Sequence, residues 1–116
     1  MNIQRVGIGA RLTQAVVHQN TVYLSGQTSQ FKEGIEAQTR DILGKIDALL
    51  ESVGSGRKHL LSVQIWLADV EDFAAMNSVW DAWVGGFEPP ARACVQANFP
   101  NPAYRVEIQV IAGVAS

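Results

Sequence analysis

Two segments near the carboxyl end of the chain combine the alternation of β-strands with side chains that can do chemistry. Residues 91–98 alternate small apolar residues with Arg92 and Cys94, and residues 105–110 alternate valine and isoleucine with polar residues that include Glu107. Strand side chains alternate between two faces, so direct pairing of these strands over one apolar core predicts Arg92, Cys94 and Glu107 together on the opposite face. A guanidinium near a carboxylate suits a small ligand that carries a carboxylate.

Each of these residues also has a purely structural interpretation. Arg92 can form a salt bridge between subunits, with Glu107 as one candidate partner, and Glu107 can pair with Arg105 or Arg92. Cys94 is more typical of a small buried residue than of a nucleophile, since neither histidine is placed by a motif to activate it. The two histidines and the one cysteine lie at unrelated spacings, which predicts no metal site.

Composition narrows the class of protein. The 116 residues predict a single domain spanning residues 1–116, with 47% hydrophobic and 17% charged residues. This charge is below the usual value of about 25%, which suggests that another subunit covers some surface. A net charge of -2 and the lack of a basic cluster predict neither nucleic acid nor a membrane as partner. One cysteine and an N-terminus without a signal-peptide pattern predict a cytoplasmic protein.

The elements that must position these side chains follow from hydrophobic spacing. Apolar residues at helical spacing predict two helices, the first stopped by Gly54 and the second capped by Asp69. Gln19-Asn20 reads as the turn of a hairpin. The expected order is ββαβαββ, with strands at 15–18 and 21–25, a helix at 35–53, a strand at 61–68, a helix from 69 to 84, and strands at 91–98 and 104–111.

Strand–helix–strand units with right-handed crossovers place both helices on one face of a mixed sheet. The other face is then bare, and on this reading it carries Gln64, Trp66, Arg92, Cys94, Gln96, Glu107 and Gln109. This surface is too apolar and too specialised for plain exposure to solvent. We therefore expect oligomerisation through that face, with a ligand site between subunits.

Several other residues have an ordinary structural interpretation. Trp80 and Trp83 lie at helical spacing and are predicted to be core, whereas Trp66 is predicted at an interface. Gly26 is typical of a glycine that ends a strand. Asn77 is typical of a residue that caps or braces a loop.

Taken together, the motifs resemble those of the Rid family (YjgF/RidA type), and the YoaB-like branch more than RidA itself. The resemblance covers nearly the whole chain, and it is specific through the order and spacing of its motifs. The motifs that carry it are Leu-Ser-Gly-Gln at 24–27, the stretch 69–84 with Asp-Phe-Ala-Ala-Met-Asn at 72–77, Pro-Ala-Arg-Ala-Cys-Val-Gln at 90–96, and residues 101–108 with Val-Glu-Ile at 106–108.

This resemblance implies a chorismate-mutase-like α+β fold and a homotrimer whose sheets face inward, with sites in the clefts between subunits. It also implies a hydrolase that converts reactive enamines and imines, such as 2-aminoacrylate and 2-iminopropionate, to 2-oxo acids and ammonia without a cofactor. By position, Arg92 matches the arginine that binds the substrate carboxylate and Glu107 the glutamate that holds the attacking water. Gly26 and Cys94 match positions whose backbone lines the pocket.

The chain departs from the RidA pattern at one position. RidA proteins carry a Gly-Pro-Tyr-Ser-Gln-Ala segment whose tyrosine reaches the site, and here residues 9–15 put Leu12 at that place. The change removes a phenolic hydroxyl and makes this part of the substrate pocket more apolar. An alternative therefore stays open, in which the protein is a non-catalytic trimeric binder or sensor of small 2-oxo or amino acids.

Overall fold

Six strands form one mixed sheet, and two helices pack on a single face of it. The computed structural model describes residues 2–114. The elements are β1 (Gln4–Ile8), β2 (Thr13–His18), β3 (Thr21–Leu24), α1 (Ile35–Ser52), β4 (Leu60–Leu67), α2 (Phe73–Trp83), β5 (Ala91–Gln96) and β6 (Val106–Gly113). The strand order is β1-β2-β3-β6-β4-β5, and only β4 and β5 run parallel. The predicted α+β architecture is confirmed.

The structure adds one strand, β1, to the predicted order, which becomes βββαβαββ. β1 pairs antiparallel with β2, and four of its five residues are exposed. A strand without a buried side leaves little hydrophobic periodicity to detect. It forms because β2 supplies backbone hydrogen-bonding groups along its free edge.

Local signals for the hairpin and for the end of α1 are confirmed. The predicted helix start is wrong, because the Asp69 side chain accepts from the Glu71 N–H at 2.9 Å and caps one 3₁₀ turn (Val70–Asp72), and α2 begins at Phe73. Gln19 and Asn20 both have positive φ, 52° and 65°, as the two-residue turn of a tight hairpin requires. At the end of α1, the Gly54 N–H donates to the Glu51 carbonyl at 3.2 Å and the Ser55 N–H to the Leu50 carbonyl at 2.8 Å. This is the Schellman pattern, which Gly54 permits with a φ of 77°.

The position of β5 overturns part of the predicted surface. β4 lies between β5 and β6, so the two chemistry-bearing strands do not pair directly. Arg92 pairs with Val63 and Cys94 with Ile65, and both partners are buried in the core. Paired residues share a face, so the prediction that Arg92, Cys94 and Gln96 lie on the bare face is wrong. The alternation of residues in a strand predicts which side chains share a face, but it does not predict which face of the sheet the helices cover.

The other residues predicted for the bare face do lie there. Trp66 pairs with Glu107 and Gln64 with Gln109, on the side away from the buried core residues of β4 and β6. On β5 the residues that share this face are Ala91, Ala93 and Val95, and Val95 is half exposed. We call this surface, with Glu107 in it, the open face. Within residues 2–114, no helix combines the length and apolar character needed to cross a membrane.

Candidate functional site

Arg92 lies on the edge strand β5, and its guanidinium is held by one face of α2. Its Nη1 donates to Asn77 Oδ1 at 2.8 Å. Its Cζ lies 5.5 Å from the ring centroid of Trp80 and 5.9 Å from that of Phe73. Positions 73, 77 and 80 follow the helical repeat and share one side of α2. One hydrogen bond and two cation–π contacts therefore restrict where this cation can sit.

Arg92 differs from two arginines whose guanidinium groups are each held by both oxygens of a carboxylate. Arg57 is bound by both carboxylate oxygens of Asp47, at 3.2 and 2.9 Å. Arg105 is bound by both oxygens of Asp72, at 2.8 and 2.9 Å. Within residues 2–114, Arg92 makes no ion pair. Its guanidinium has five N–H donors, so a charged group remains available for a ligand carboxylate.

Cys94 follows two residues after Arg92 and is partly buried against the hydrophobic core. Burial raises the pKa of its thiol, and the nearby charge of Arg92 opposes that shift only in part. A thiol with a raised pKa stays protonated at neutral pH and is a poor nucleophile. The structure thus agrees with a place for Cys94 in the wall beside Arg92 and not with covalent catalysis.

Glu107 packs against Gly26, and the missing side chain of that glycine makes the contact possible. A Cβ atom on Gly26 would collide with Glu107 Oε2 and lie 2.9 Å from Glu107 Cδ. The neighbouring residue, Gln27, fixes this geometry, because its backbone N–H donates to Ile108 at 2.8 Å and its carbonyl accepts from Ile108 at 3.1 Å. Gly26 therefore does more than end a strand, since it leaves the space that the carboxylate occupies.

The Glu107 carboxylate is open to a water molecule or a ligand. Within residues 2–114 it forms no ion pair, and its proposed structural partner Arg105 is bound to Asp72 instead. Burial raises the pKa of Glu107 above its ordinary value, because a desolvated carboxylate is less stable when charged. A carboxylate of increased basicity is suited to orient or deprotonate a water.

Leu12 lies in the turn between β1 and β2 and is about half exposed. The Gly9 N–H donates to the Leu12 carbonyl at 2.8 Å. The next carbonyl, that of Thr13, accepts from Ser25 Oγ at 2.7 Å. These bonds join the turn to the segment that contains Gly26, so Leu12 belongs to the same region of the chain as Gly26 and Glu107.

The predicted site residues thus fall into two groups. We call Arg92, Cys94 and their α2 contacts the arginine half, and Leu12, Gly26 and Glu107 the glutamate half. The arginine half lies on the helix-covered side of the sheet and Glu107 lies on the open face. The sheet itself separates them within one chain. The prediction that Arg92, Cys94 and Glu107 share a face is therefore wrong for a single subunit.

Sequence reasoning missed the contribution of α2 to this site. Trp80 is core as predicted, at 4% exposed, but its ring also faces Arg92. Asn77 holds the arginine and does not brace a loop. The spacing of Phe73, Asn77 and Trp80 on one helical face was the available signal, although nothing in the sequence links that face to β5.

A cofactor has no evident ligand set in this region. Among residues 2–114, no group of three or more His, Cys, Asp or Glu side chains is placed to hold a metal ion. The absence of any cofactor stays a prediction. The chemistry available here is that of one cation, one carboxylate and a largely apolar surround.

Comparison with known proteins now adds to this geometry. The chain matches the protein family described as Endoribonuclease L-PSP over residues 3–114. It is 44% identical over 114 residues to the RutC family protein YoaB of Escherichia coli, and the aligned region covers 98% of this chain and 100% of YoaB. It is 41% identical over 114 residues to a RutC family protein of Haemophilus influenzae, with 97% and 98% coverage.

Solved structures agree. A member of the YjgF protein family from Neisseria meningitidis superimposes with a TM-score of 0.97 at 40% identity, covering 100% of this chain and 98% of that one. An uncharacterised protein from Pseudomonas aeruginosa gives a TM-score of 0.94 at 44% identity, with 98% and 100% coverage. The chain belongs to the YjgF/Rid family, described also as the L-PSP family, and within it resembles the YoaB-like branch.

Proposed function

We propose that this protein hydrolyses small 2-imino acids to 2-oxo acids and ammonium, with a site completed between neighbouring copies of the chain. The observation that carries the proposal is the guanidinium of Arg92. It is held in place by α2 and makes no ion pair within residues 2–114. A fixed, unneutralised arginine is suited to bind a carboxylate with two parallel hydrogen bonds.

The reaction needs little beyond this positioning. Arg92 binds the substrate carboxylate and thereby fixes the adjacent iminium carbon, which is already electrophilic. Glu107 accepts a proton from a water molecule while the oxygen of that water forms a bond to the iminium carbon. The proton then passes from Glu107 to the amino nitrogen. As the carbon–nitrogen bond breaks, the new hydroxyl gives its proton back to Glu107, which leaves the carbonyl of the 2-oxo acid, and the departing ammonia takes up that proton as ammonium. Water is consumed and no electrons are exchanged, so no oxidant or reductant is needed. Holding the two reactants together lowers the activation free energy by several kcal/mol, on the order of 7 in well-aligned cases.

The separation of the two halves favours a site shared by two subunits. Within one chain the sheet lies between Arg92 and Glu107. In a head-to-tail ring, the β5 edge of one subunit packs on the open face of the next and brings the halves together. Such an interface repeats until the ring closes. We propose a ring of three, as the family resemblance implies, with the apolar residues Trp66 and Val95 of the open face at the interface.

Mixing two inactive variants tests both the chemistry and the shared site. Arg92→Ala destroys only the arginine half, and Glu107→Gln destroys only the glutamate half. Co-expressed in equal amounts, they form mixed rings in which about one quarter of the sites have both halves intact. We expect that fraction of wild-type activity on 2-iminopropionate, generated in situ by an amino-acid oxidase.

The control is a double variant with both substitutions in one chain, co-expressed with either single variant. No ring built from those chains contains an intact site, whichever subunits supply the halves, so their activity is the background above which complementation is measured. Activity in the single variants themselves would exclude the assigned roles. A wild-type protein that fails to accelerate hydrolysis would exclude the deaminase.

One observation favours the non-catalytic alternative, a binder or sensor of 2-oxo or amino acids. Leu12 supplies no hydroxyl to the glutamate half, and its side chain is half exposed. A binder needs Arg92 but not Glu107. In that case 2-oxobutanoate binds wild type and Glu107→Gln equally, as measured by calorimetry, and neither protein accelerates imine hydrolysis.

A further inference from the structure

Two aromatic rings contact Arg92, but only one of them can also meet a ligand. Trp80 is 4% exposed and closes the core beneath the guanidinium, whereas Phe73 is 45% exposed. Their ring centroids lie at similar distances from Arg92 Cζ, 5.5 and 5.9 Å. Phe73 therefore presents apolar surface to solvent directly beside the cation.

This position is within reach of the side chain of a 2-imino acid whose carboxylate is bound by Arg92. That side chain is attached to the carbon next to the carboxylate, so a ligand held by Arg92 has it within a few ångströms of the guanidinium. The neighbouring Asn77 already uses its Oδ1 to accept from Arg92. Of the α2 side chains at Arg92, the half-exposed one is a ring that can neither donate nor accept an ordinary hydrogen bond.

We propose that Phe73 determines specificity by contacting the substrate side chain and selecting apolar over polar 2-imino acids. This inference rests on the proposed binding of a carboxylate by Arg92. Burial of a methyl group against the ring releases water from both surfaces. A hydroxyl in the same place loses its hydrogen bonds to water without replacement. Exclusion of a polar side chain then requires no residue other than Phe73.

The test uses two substrates that differ in one methyl or hydroxyl group. An amino-acid oxidase generates 2-iminobutanoate from 2-aminobutyrate and 2-imino-3-hydroxypropanoate from serine. We expect wild-type kcat/KM to favour the first by about tenfold or more. Phe73→Ser is expected to bring the ratio close to one, chiefly by lowering kcat/KM for 2-iminobutanoate. Phe73→Leu, which keeps an apolar surface, is expected to retain the preference.

Phe31→Ser is the matched control, because Phe31 is also half exposed and lies in the loop before α1. Its ratio should equal that of wild type. Phe73→Tyr provides a second variant if Phe73→Ser does not fold, and its added hydroxyl is expected to lower the ratio. A wild type without preference, or an unchanged ratio in Phe73→Ser or Phe73→Tyr, overturns the inference even when hydrolysis proceeds normally.

Binding separates this inference from the proposed deaminase. Calorimetry with 2-oxobutanoate and 3-hydroxypyruvate measures the same methyl–hydroxyl preference without any reaction. If wild type hydrolyses neither imine, the deaminase fails, and the ratio of the two Kd values in wild type and Phe73→Ser decides the role of Phe73. Equal Kd ratios in these two proteins would then reject it.

Discussion

The arginine half and the glutamate half hold their charged groups by opposite means. Arg92 is restrained by side chains that are present, because Asn77 accepts one N–H and two rings lie close to the guanidinium. The Glu107 carboxylate has room because Gly26 has no side chain. The first half distributes its support over several contacts, and the second depends on the space left by one missing methyl group. The two halves should therefore respond differently to substitution.

Removal of the charged group from the arginine half should have the largest effect. Arg92→Ala leaves the α2 side chains in place but deletes the bidentate donor, and we expect kcat/KM for 2-iminopropionate to fall by about a hundredfold or more. Arg92→Lys should not restore it, because an ammonium lacks the planar pair of donors. Initial rates of 2-oxo acid formation measure both.

Arg57→Ala is the matched control for that loss. Arg57 is engaged by Asp47, and it also lies 5.0 Å from the Trp83 ring and donates to the Trp83 carbonyl. Its loss should lower the free energy of unfolding by about 1 kcal/mol and leave kcat/KM unchanged. Equal kinetic losses in the two variants would mean that Arg92 acts through the fold alone.

In the glutamate half, one added methyl group should act almost as strongly. Gly26→Ala puts a Cβ atom where the Glu107 carboxylate lies, so that carboxylate must turn away from its position. We expect kcat/KM to fall by about ten- to a hundredfold. The substrate carboxylate is still bound by Arg92, so the Kd for 2-oxobutanoate should change little.

Gly56→Ala separates the effect of space from that of a changed backbone. A Cβ atom on Gly56 meets nothing within 4 Å, and its φ of -175° is open to any residue. That variant should keep full activity. Normal activity in Gly26→Ala would show that the position of Glu107 in this structure is not the one that matters for the reaction.

The two halves also differ in what the sequence alone allowed us to predict. Arg92 and Glu107 are found by residue type and strand alternation, and the family motifs add their roles and Gly26. The helix end at Gly54 follows from local rules. The contact between Gly26 and Glu107 joins residues 81 positions apart, and no local pattern encodes it. The arginine half was placed on the wrong face, because alternation in β5 does not specify that β4 lies between β5 and β6.

Interaction between the halves should be detectable, finally, as a small effect on stability. Burial raises the pKa of Glu107, so the folded protein holds this proton more tightly than the unfolded chain. Below the pKa that Glu107 has in the unfolded chain, the carboxyl is protonated in both states and does not destabilise the fold. As the pH rises from there through the raised pKa of the folded state, ionisation of Glu107 lowers the free energy of unfolding. Glu107→Gln should therefore stabilise the protein at pH 7, by about 0.5 kcal/mol at most because water screens the group. The gain should vanish in acid.

In the proposed ring, the Arg92 of a neighbouring copy offsets this cost by stabilising the Glu107 carboxylate. The gain from Glu107→Gln should then be larger in an Arg92→Ala background than in wild type, with a coupling below about 0.5 kcal/mol because it can offset only part of that cost. Urea unfolding of all four proteins at one fixed concentration measures it, since assembly makes apparent stability depend on concentration. Equal gains in the two backgrounds would mean that the halves do not meet, because the sheet separates them within a chain and only a second subunit can bring them together.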